Sequence, residues 1–133
     1  LTADFILMLG DNAGETVFDR LLIEELGSRV IYAVRGAPII NDAVHEDAVA
    51  AGLDKVAEII SSGSDAAGTS LSLVSTKFRE IFDSAPMIIS KGQGNYECLS
   101  GIDRPVYYLL KAKCRVIAEH LRVPQGSLLL FKE

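Results

Sequence analysis

The stretch Phe5-Ile6-Leu7-Met8-Leu9-Gly10-Asp11-Asn12-Ala13-Gly14-Glu15 decides how this chain folds. Five consecutive apolar residues show no polar alternation, so the run reads as a strand covered on both faces, as in a parallel sheet packed between helices. Two oxygen-bearing side chains, a glycine and an acid follow at once. Residues 15–26 then take helical period, with Phe18, Leu21, Leu22 and Leu26 as an apolar stripe opposite Asp19, Arg20 and Glu24. Gly27 ends that helix, because glycine adopts positive φ without a Cβ penalty.

Outward from this unit the alternation repeats. Residues 30–34 read as a second strand broken by Arg35-Gly36-Ala37-Pro38, residues 44–51 as a short helix closed by Gly52, and residues 56–60 as a third strand. Residues 61–69 form the longest polar stretch, suited to a surface loop or a flap. A helix is predicted over 71–82 through Leu71, Val74, Phe78, Ile81 and Phe82, with Lys77, Arg79 and Glu80 toward solvent. Further strands are predicted at 87–89, 106–110 and 128–131, and helical segments at 95–99 and 114–121. The sum is an α/β class domain over residues 1–133: three-layer α/β/α, with a mostly parallel, Rossmann-like sheet of about six strands.

At 133 residues and 49% hydrophobic, the chain can bury one real core. It begins at Leu1, enters an apolar run within a few residues and ends just after another, which reads as a domain cut from a longer protein. The formal charge of -5, with no dense basic run, argues against a nucleic-acid partner. No apolar segment approaches the roughly 18 residues of a membrane span, and no signal pattern opens the chain. Two separated cysteines, Cys98 and Cys114, indicate neither a redox pair nor a disulfide framework, so the expected compartment is the cytoplasm.

The chemistry concentrates in three turns. Asp11-Asn12 follows the first strand and Asn41-Asp42 comes shortly after the second. Strand ends of an open parallel sheet face one crevice where ligands bind. Brought together there, Asp11, Asn12 and Asp42 offer the oxygen donors that a hard divalent cation takes. Each turn also precedes a helix, so capping is the competing reading, and Glu15 suits a helix N-terminus for its charge alone. Asn41 is a candidate for orienting the loop or touching substrate. The third turn, Ser90-Lys91-Gly92-Gln93-Gly94-Asn95, sets Lys91 beside flexible backbone, as a phosphoryl group requires, with Asn95 able either to bond a phosphoryl or sugar oxygen or to cap a helix. It is no P-loop, since the lysine precedes the glycines. Gly10 and Gly14 lack the spacing of a dinucleotide fingerprint, and residues 61–69 show no nucleophile elbow. His45 and His120 have no nearby partner that makes them metal or catalytic candidates.

Together, Gly10-Asp11-Asn12-Ala13-Gly14-Glu15, the segment ending Asn41-Asp42, Ser90-Lys91-Gly92-Gln93-Gly94-Asn95-Tyr96-Glu97 and Leu109-Leu110-Lys111-Ala112-Lys113-Cys114 resemble the metal-dependent damage-control phosphatases of the ARMT-like family. The resemblance implies an α/β phosphatase domain whose metal-binding positions are Asp11, Asn12 and Asp42, with Lys91 in a phosphate-contacting loop. It implies hydrolysis of phosphate monoesters on small phosphorylated metabolites, sugar phosphates or damaged metabolites among them. Mg²⁺ or Mn²⁺ is the favoured ion, with Co²⁺ and Ni²⁺ admitted. Glu15, Asn41, Lys91, Gly92, Gly94 and Asn95 are the expected substrate contacts, and Asp11, Asn12, Asp42 and Lys91 the catalytic set. The same resemblance implies a helical portion of the protein that precedes this C-terminal domain and lies outside the chain. A noncatalytic domain that binds phosphometabolites through a metal is the alternative.

Overall fold

Hydrogen bonding along β1 (Ile6–Leu9) organises the sheet, because β2 (Val30–Val34) pairs on one side of it and β4 (Met87–Lys91) on the other. With β3 (Glu58–Ser61), β5 (Tyr107–Lys111) and β6 (Leu128–Lys132), the strands form one six-stranded sheet in the order β3-β2-β1-β4-β5-β6. The first five run parallel, and β6 is antiparallel to β5. This computed structural model describes residues 4–133, so residues 1–3 of the expected domain lie outside the described residues.

Five helices cover the sheet: α1 (Thr16–Leu26), α2 (His45–Ala50), α3 (Thr76–Ser84), α4 (Gln93–Leu99) and α5 (Arg115–Leu121). The period of two along β1 separates two cores. Leu7 and Leu9 join Ile88 and Tyr108 under Phe78 and Phe82 of α3, Tyr96 and Leu99 of α4, and Ile117 of α5. Ile6 and Met8 join Val30, Tyr32 and Val34 under Ile23 of α1, Ala48 of α2 and Leu53. The expected three-layer α/β/α architecture with a mostly parallel sheet is therefore the observed one, and the burial of all four β1 residues explains their unbroken apolar run.

The second helical layer does not extend across the whole sheet. Beyond α1, Tyr107 and Leu109 are only partly buried, and Leu128 and Leu130 on the edge strand are 82% and 70% exposed. Such a contiguous apolar face is unusual for a surface left to water.

Three local expectations are corrected. Helix α1 is rotated from the predicted stripe: Phe18 and Leu21 are 71% and 56% exposed, while Asp19 is buried at 1%. The rotation is possible because the Asp19 carboxylate accepts hydrogen bonds from the Tyr32 hydroxyl (2.7 Å) and the Lys91 ammonium (2.5 Å), which satisfies a charge that would otherwise stay in water. Helix α3 starts at Thr76 and not near residue 71, because Ser75 caps it by accepting from the Phe78 amide; Leu71 and Val74 pack from the preceding turn. Lys91 is the last residue of β4, and the supposed loop after it is one glycine long, since α4 begins at Gln93.

The rotation makes a direct prediction. Ile23→Ala should lower unfolding free energy by about 2–4 kcal/mol, as for a buried aliphatic truncation, whereas Leu21→Ala should change it by less than about 0.5 kcal/mol. Urea denaturation of the two variants distinguishes the observed helix face from the expected one.

Candidate functional site

The strand order reverses between β1 and β4, and in an open α/β sheet ligands bind outside the carboxyl ends of strands at such a point. Asp11 stands just beyond the end of β1, with Lys91 closing β4 beside it. Asp42 reaches the same place from the β2 side. The Ala43 amide donates to the Asp11 carbonyl (2.7 Å), the Ala13 amide donates to the Asn41 carbonyl (2.8 Å), and Asn12 and Asp42 form an antiparallel bridge. The two acidic turns that the sequence assigned to one crevice are thus joined through their backbones.

Two glycines allow the close packing. A Cβ at Gly92, whose φ is +84°, would lie 2.0 Å from an Asp11 carboxylate oxygen, and one at Gly10 would lie 2.5 Å from the Tyr32 hydroxyl. The Asp11 side chain is consequently buried, and no hydrogen bond to its carboxylate is present among the described residues. Burial foremost, then the charges of Glu15 and Asp42, push this carboxyl up from an ordinary 3.8 to about 6. Lys113 and Arg35 oppose the rise without cancelling it.

The neighbouring donors are more committed. The Asn12 amide nitrogen donates to Glu15 Oε1 at 3.2 Å, which leaves its carbonyl oxygen available. One Asp42 oxygen accepts from Arg35 Nε at 2.8 Å, with both side chains buried. Lys91 Nζ donates to Asp19 Oδ1 at 2.5 Å and reaches Glu15 Oε2 at 3.4 Å. Burial alone would disfavour the lysine charge, but Asp19 and Glu15 outweigh it and hold the ammonium above its usual range.

The expected phosphate loop is partly used by the fold itself. The Gly92 amide donates to the Leu109 carbonyl at 2.9 Å. Asn95 is wholly buried: its amide donates to the carbonyls of Gly10 and Lys91, and its oxygen accepts from Arg35 and Thr69, which fills its hydrogen-bonding capacity. Gly94 approaches Gly68 closely, and Asn41 has an exposed side chain. A groove of about 550 Å³ runs from Asp11, Glu15, Lys91 and Gly92 past Lys111 and Lys113 to the apolar edge at Leu128 and Leu130.

No group of three or more His, Cys, Asp and Glu side chains among the described residues is arranged to hold a metal ion. The donor set that the backbone bridge assembles is mixed, two carboxylates and one amide oxygen. Its chemistry fits a hard divalent cation that keeps part of its shell for water and substrate. The Asp11 carboxylate, which faces the groove with no hydrogen bond among the described residues and with two further acids beside it, is the observation that favours such an ion.

Asp19, Tyr32, Arg35 and Lys113 were missed as site residues. Asp19 stands four positions after Glu15, a spacing that puts both on one helix face and was the available signal. The backbone of Lys113 is held from both sides, its amide donating to Gln93 Oε1 and its carbonyl accepting from Gln125 Nε2, each at 2.9 Å. Nothing local marks that clamp in the sequence.

The model of the damage-control phosphatase ARMT1-like domain matches residues 1–129, and the chain belongs to that family. A damage-control phosphatase of Pyrococcus horikoshii is 46% identical over 135 residues, covering 98% of this chain and 47% of that protein. An uncharacterized protein of Methanocaldococcus jannaschii is 46% identical over 134 residues, covering 96% of this chain and 44% of that protein. The crystal structure of a DUF89 family protein from Pyrococcus horikoshii superposes with a TM-score of 0.94 at 45% identity, over 98% of this chain and 48% of that one. The chain therefore spans a little under half the length of these relatives.

The state of Asp11 can be tested in chelator-treated protein. Its folded carboxyl titrates near 6 against an ordinary 3.8, so the native state binds the extra proton and stability falls as pH rises through that interval. Asp11→Asn lacks this loss. Its stability relative to the parent should rise between about pH 4 and pH 6 and then level off, by at most about 3 kcal/mol. Urea unfolding of both proteins across this range provides the difference; a flat difference contradicts the burial argument.

Proposed function

We propose that this chain carries the ion- and phosphoryl-binding part of a metal-dependent phosphatase that hydrolyses phosphate monoesters of small phosphorylated metabolites. The observation that carries the reading is the buried Asp11 carboxylate, bridged through the backbone to the turn that holds Asp42. The names of the relatives from Pyrococcus horikoshii and Archaeoglobus fulgidus, both called damage-control phosphatases, support it. Asp11, Asn12 and Asp42 are the ligands of one divalent cation, with Mg²⁺ or Mn²⁺ favoured and Co²⁺ or Ni²⁺ compatible with the family. Such an ion, when bound, supplies Lewis-acid stabilisation of the phosphoryl oxygens and lowers the pKa of a coordinated water.

The chain's own side chains do the rest. Asp19 holds Lys91 at the floor of the groove, where the ammonium meets an incoming phosphoryl oxygen as Glu15, the more exposed of its two partners, gives way. Gly92 leaves room beside Asp11. Lys111 and Lys113 supply positive charge along the groove that the substrate enters. Asn95 orients the Gly10 and Lys91 backbones, so its contribution to substrate binding runs through them.

Residues 1–133 constitute one α/β domain in this reading, and the remaining, helical portion of the protein covers the apolar edge at Leu128 and Leu130. The half-length coverage of the relatives and the bare second face of β5 and β6 support that arrangement.

The direct assay is phosphate release from a panel of sugar phosphates and other phosphometabolites by the intact, chelator-treated protein, before and after addition of Mg²⁺ or Mn²⁺. Release should depend on the ion. Asp42→Asn should reduce it by at least about 100-fold, and Lys91→Ala should raise KM at least about 10-fold while leaving the ion bound. No release across the panel overturns the phosphatase reading, and saturable, ion-dependent binding without release identifies a metabolite-binding domain instead.

A further inference from the structure

We infer that Arg35 is a positioning residue that sets the orientation of the Asp42 carboxylate, an assignment that rests on Asp42 being a cation ligand. Arg35 follows β2 directly and is 4% exposed. Its backbone amide donates to the Ala43 carbonyl at 3.0 Å, next to Asp42 in sequence. Its guanidinium then divides among three partners: Nε donates to Asp42 Oδ2 (2.8 Å), one terminal nitrogen to Thr69 Oγ1 (3.3 Å) and the other to Asn95 Oδ1 (3.1 Å). Thr69 Oγ1 donates in turn to Asn95 Oδ1 at 2.8 Å. The Asn95 amide finishes on the carbonyls of Gly10 and Lys91, at 3.1 and 2.8 Å.

Two features separate this arrangement from a device for stability alone. A buried ion pair is a weak source of stability, because desolvation of both charges offsets most of their attraction. An arginine that serves only to neutralise a carboxylate commonly grips both oxygens with two parallel N–H groups. Here a single nitrogen meets a single Asp42 oxygen, and among the described residues no hydrogen bond reaches the other. The carboxylate is held by one oxygen and left with the second free, which is what a ligand oriented from behind requires. The other two arms of the fork bind the polar 61–69 segment and α4, so the same guanidinium ties Asp42, through Asn95, to the backbone at Gly10, just before Asp11, and at Lys91. The polar segment thereby acquires a role through Thr69.

The test uses the intact, chelator-treated protein with Mn²⁺ as probe, by calorimetric titration and by the rise in Tm on adding the ion. Arg35→Lys keeps the charge but cannot reach three partners in a fixed plane. It should bind Mn²⁺ about 10- to 100-fold more weakly, with a smaller Mn²⁺-induced rise in Tm. A merely structural arginine would instead lower Tm equally with and without the ion and leave the affinity unchanged; that result overturns the inference while the metal reading stands. Thr69→Val removes one arm and should weaken Mn²⁺ binding a few-fold. If Arg35→Lys does not fold, parental affinity in Thr69→Val overturns the inference. Failure of the parent protein to bind Mn²⁺ overturns the metal reading, and this assignment with it.

Discussion

A carboxylate placed at the end of β1 without a hydrogen-bond donor is the constraint on which the ligand-binding end of this sheet depends. Asp11 is buried beside Glu15 and Asp42, and its neighbours are arranged around it without neutralising it. Gly92 gives up a side chain so that the carboxylate fits, Asn95 holds the carbonyl of Gly10 just before it, and the Ala43 amide holds its own carbonyl. The Asp11 carbonyl is thus held, while its carboxylate faces the groove with no hydrogen bond among the described residues. Among the described residues Asp19 and Arg35 are paired, so the raised proton affinity of Asp11 sets it apart as the buried acid that faces the groove.

The paired charges make the contrast clear. Asp19 is more deeply buried than Asp11 yet accepts from both Tyr32 and Lys91, and Arg35 spreads its guanidinium over Asp42, Thr69 and Asn95. The first of these sets rotates α1 so that Phe18 and Leu21 meet solvent, and it places Lys91 beneath the groove. The second joins the Arg35–Asp42 turn to Thr69 and Asn95, 34 and 60 residues further along the chain than Arg35. Packing of the sheet and polarity of the site are therefore coupled: the helix face that looks wrong by hydrophobic period is the one that brings a carboxylate to the lysine.

Much of this was legible in the residues. The unbroken apolar run at β1, the alternation of strands and helices and the acidic turns led to the α/β/α architecture and to the joining of the Asp11 and Asp42 turns, and the motifs led to the family to which the chain belongs. Arg35, Asp19 and the clamp on Lys113 were not legible, because their partners lie tens of residues away: Asn95 for Arg35, Lys91 for Asp19, Gln93 for Lys113. The start of α3 differs from the apolar period for a local reason: the period extends back to Leu71, but the cap at Ser75 prevails.

What the sequence determined by itself is the local part. Period two or period 3.6, glycine where φ must be positive, and acids at strand ends are short-range properties, and they specify elements and the kinds of chemistry those elements can present. Only the tertiary structure decided which side chains share a charge. Strand order set β4 and not only β2 beside β1, which put Lys91 next to the Asp11 turn. It also left β6 antiparallel with a bare apolar face. The physical reason is that desolvation depends on everything packed around a group, so the same residue type accepts two hydrogen bonds at Asp19 and, among the described residues, none at Asp11 according to what the fold brings within hydrogen-bonding distance.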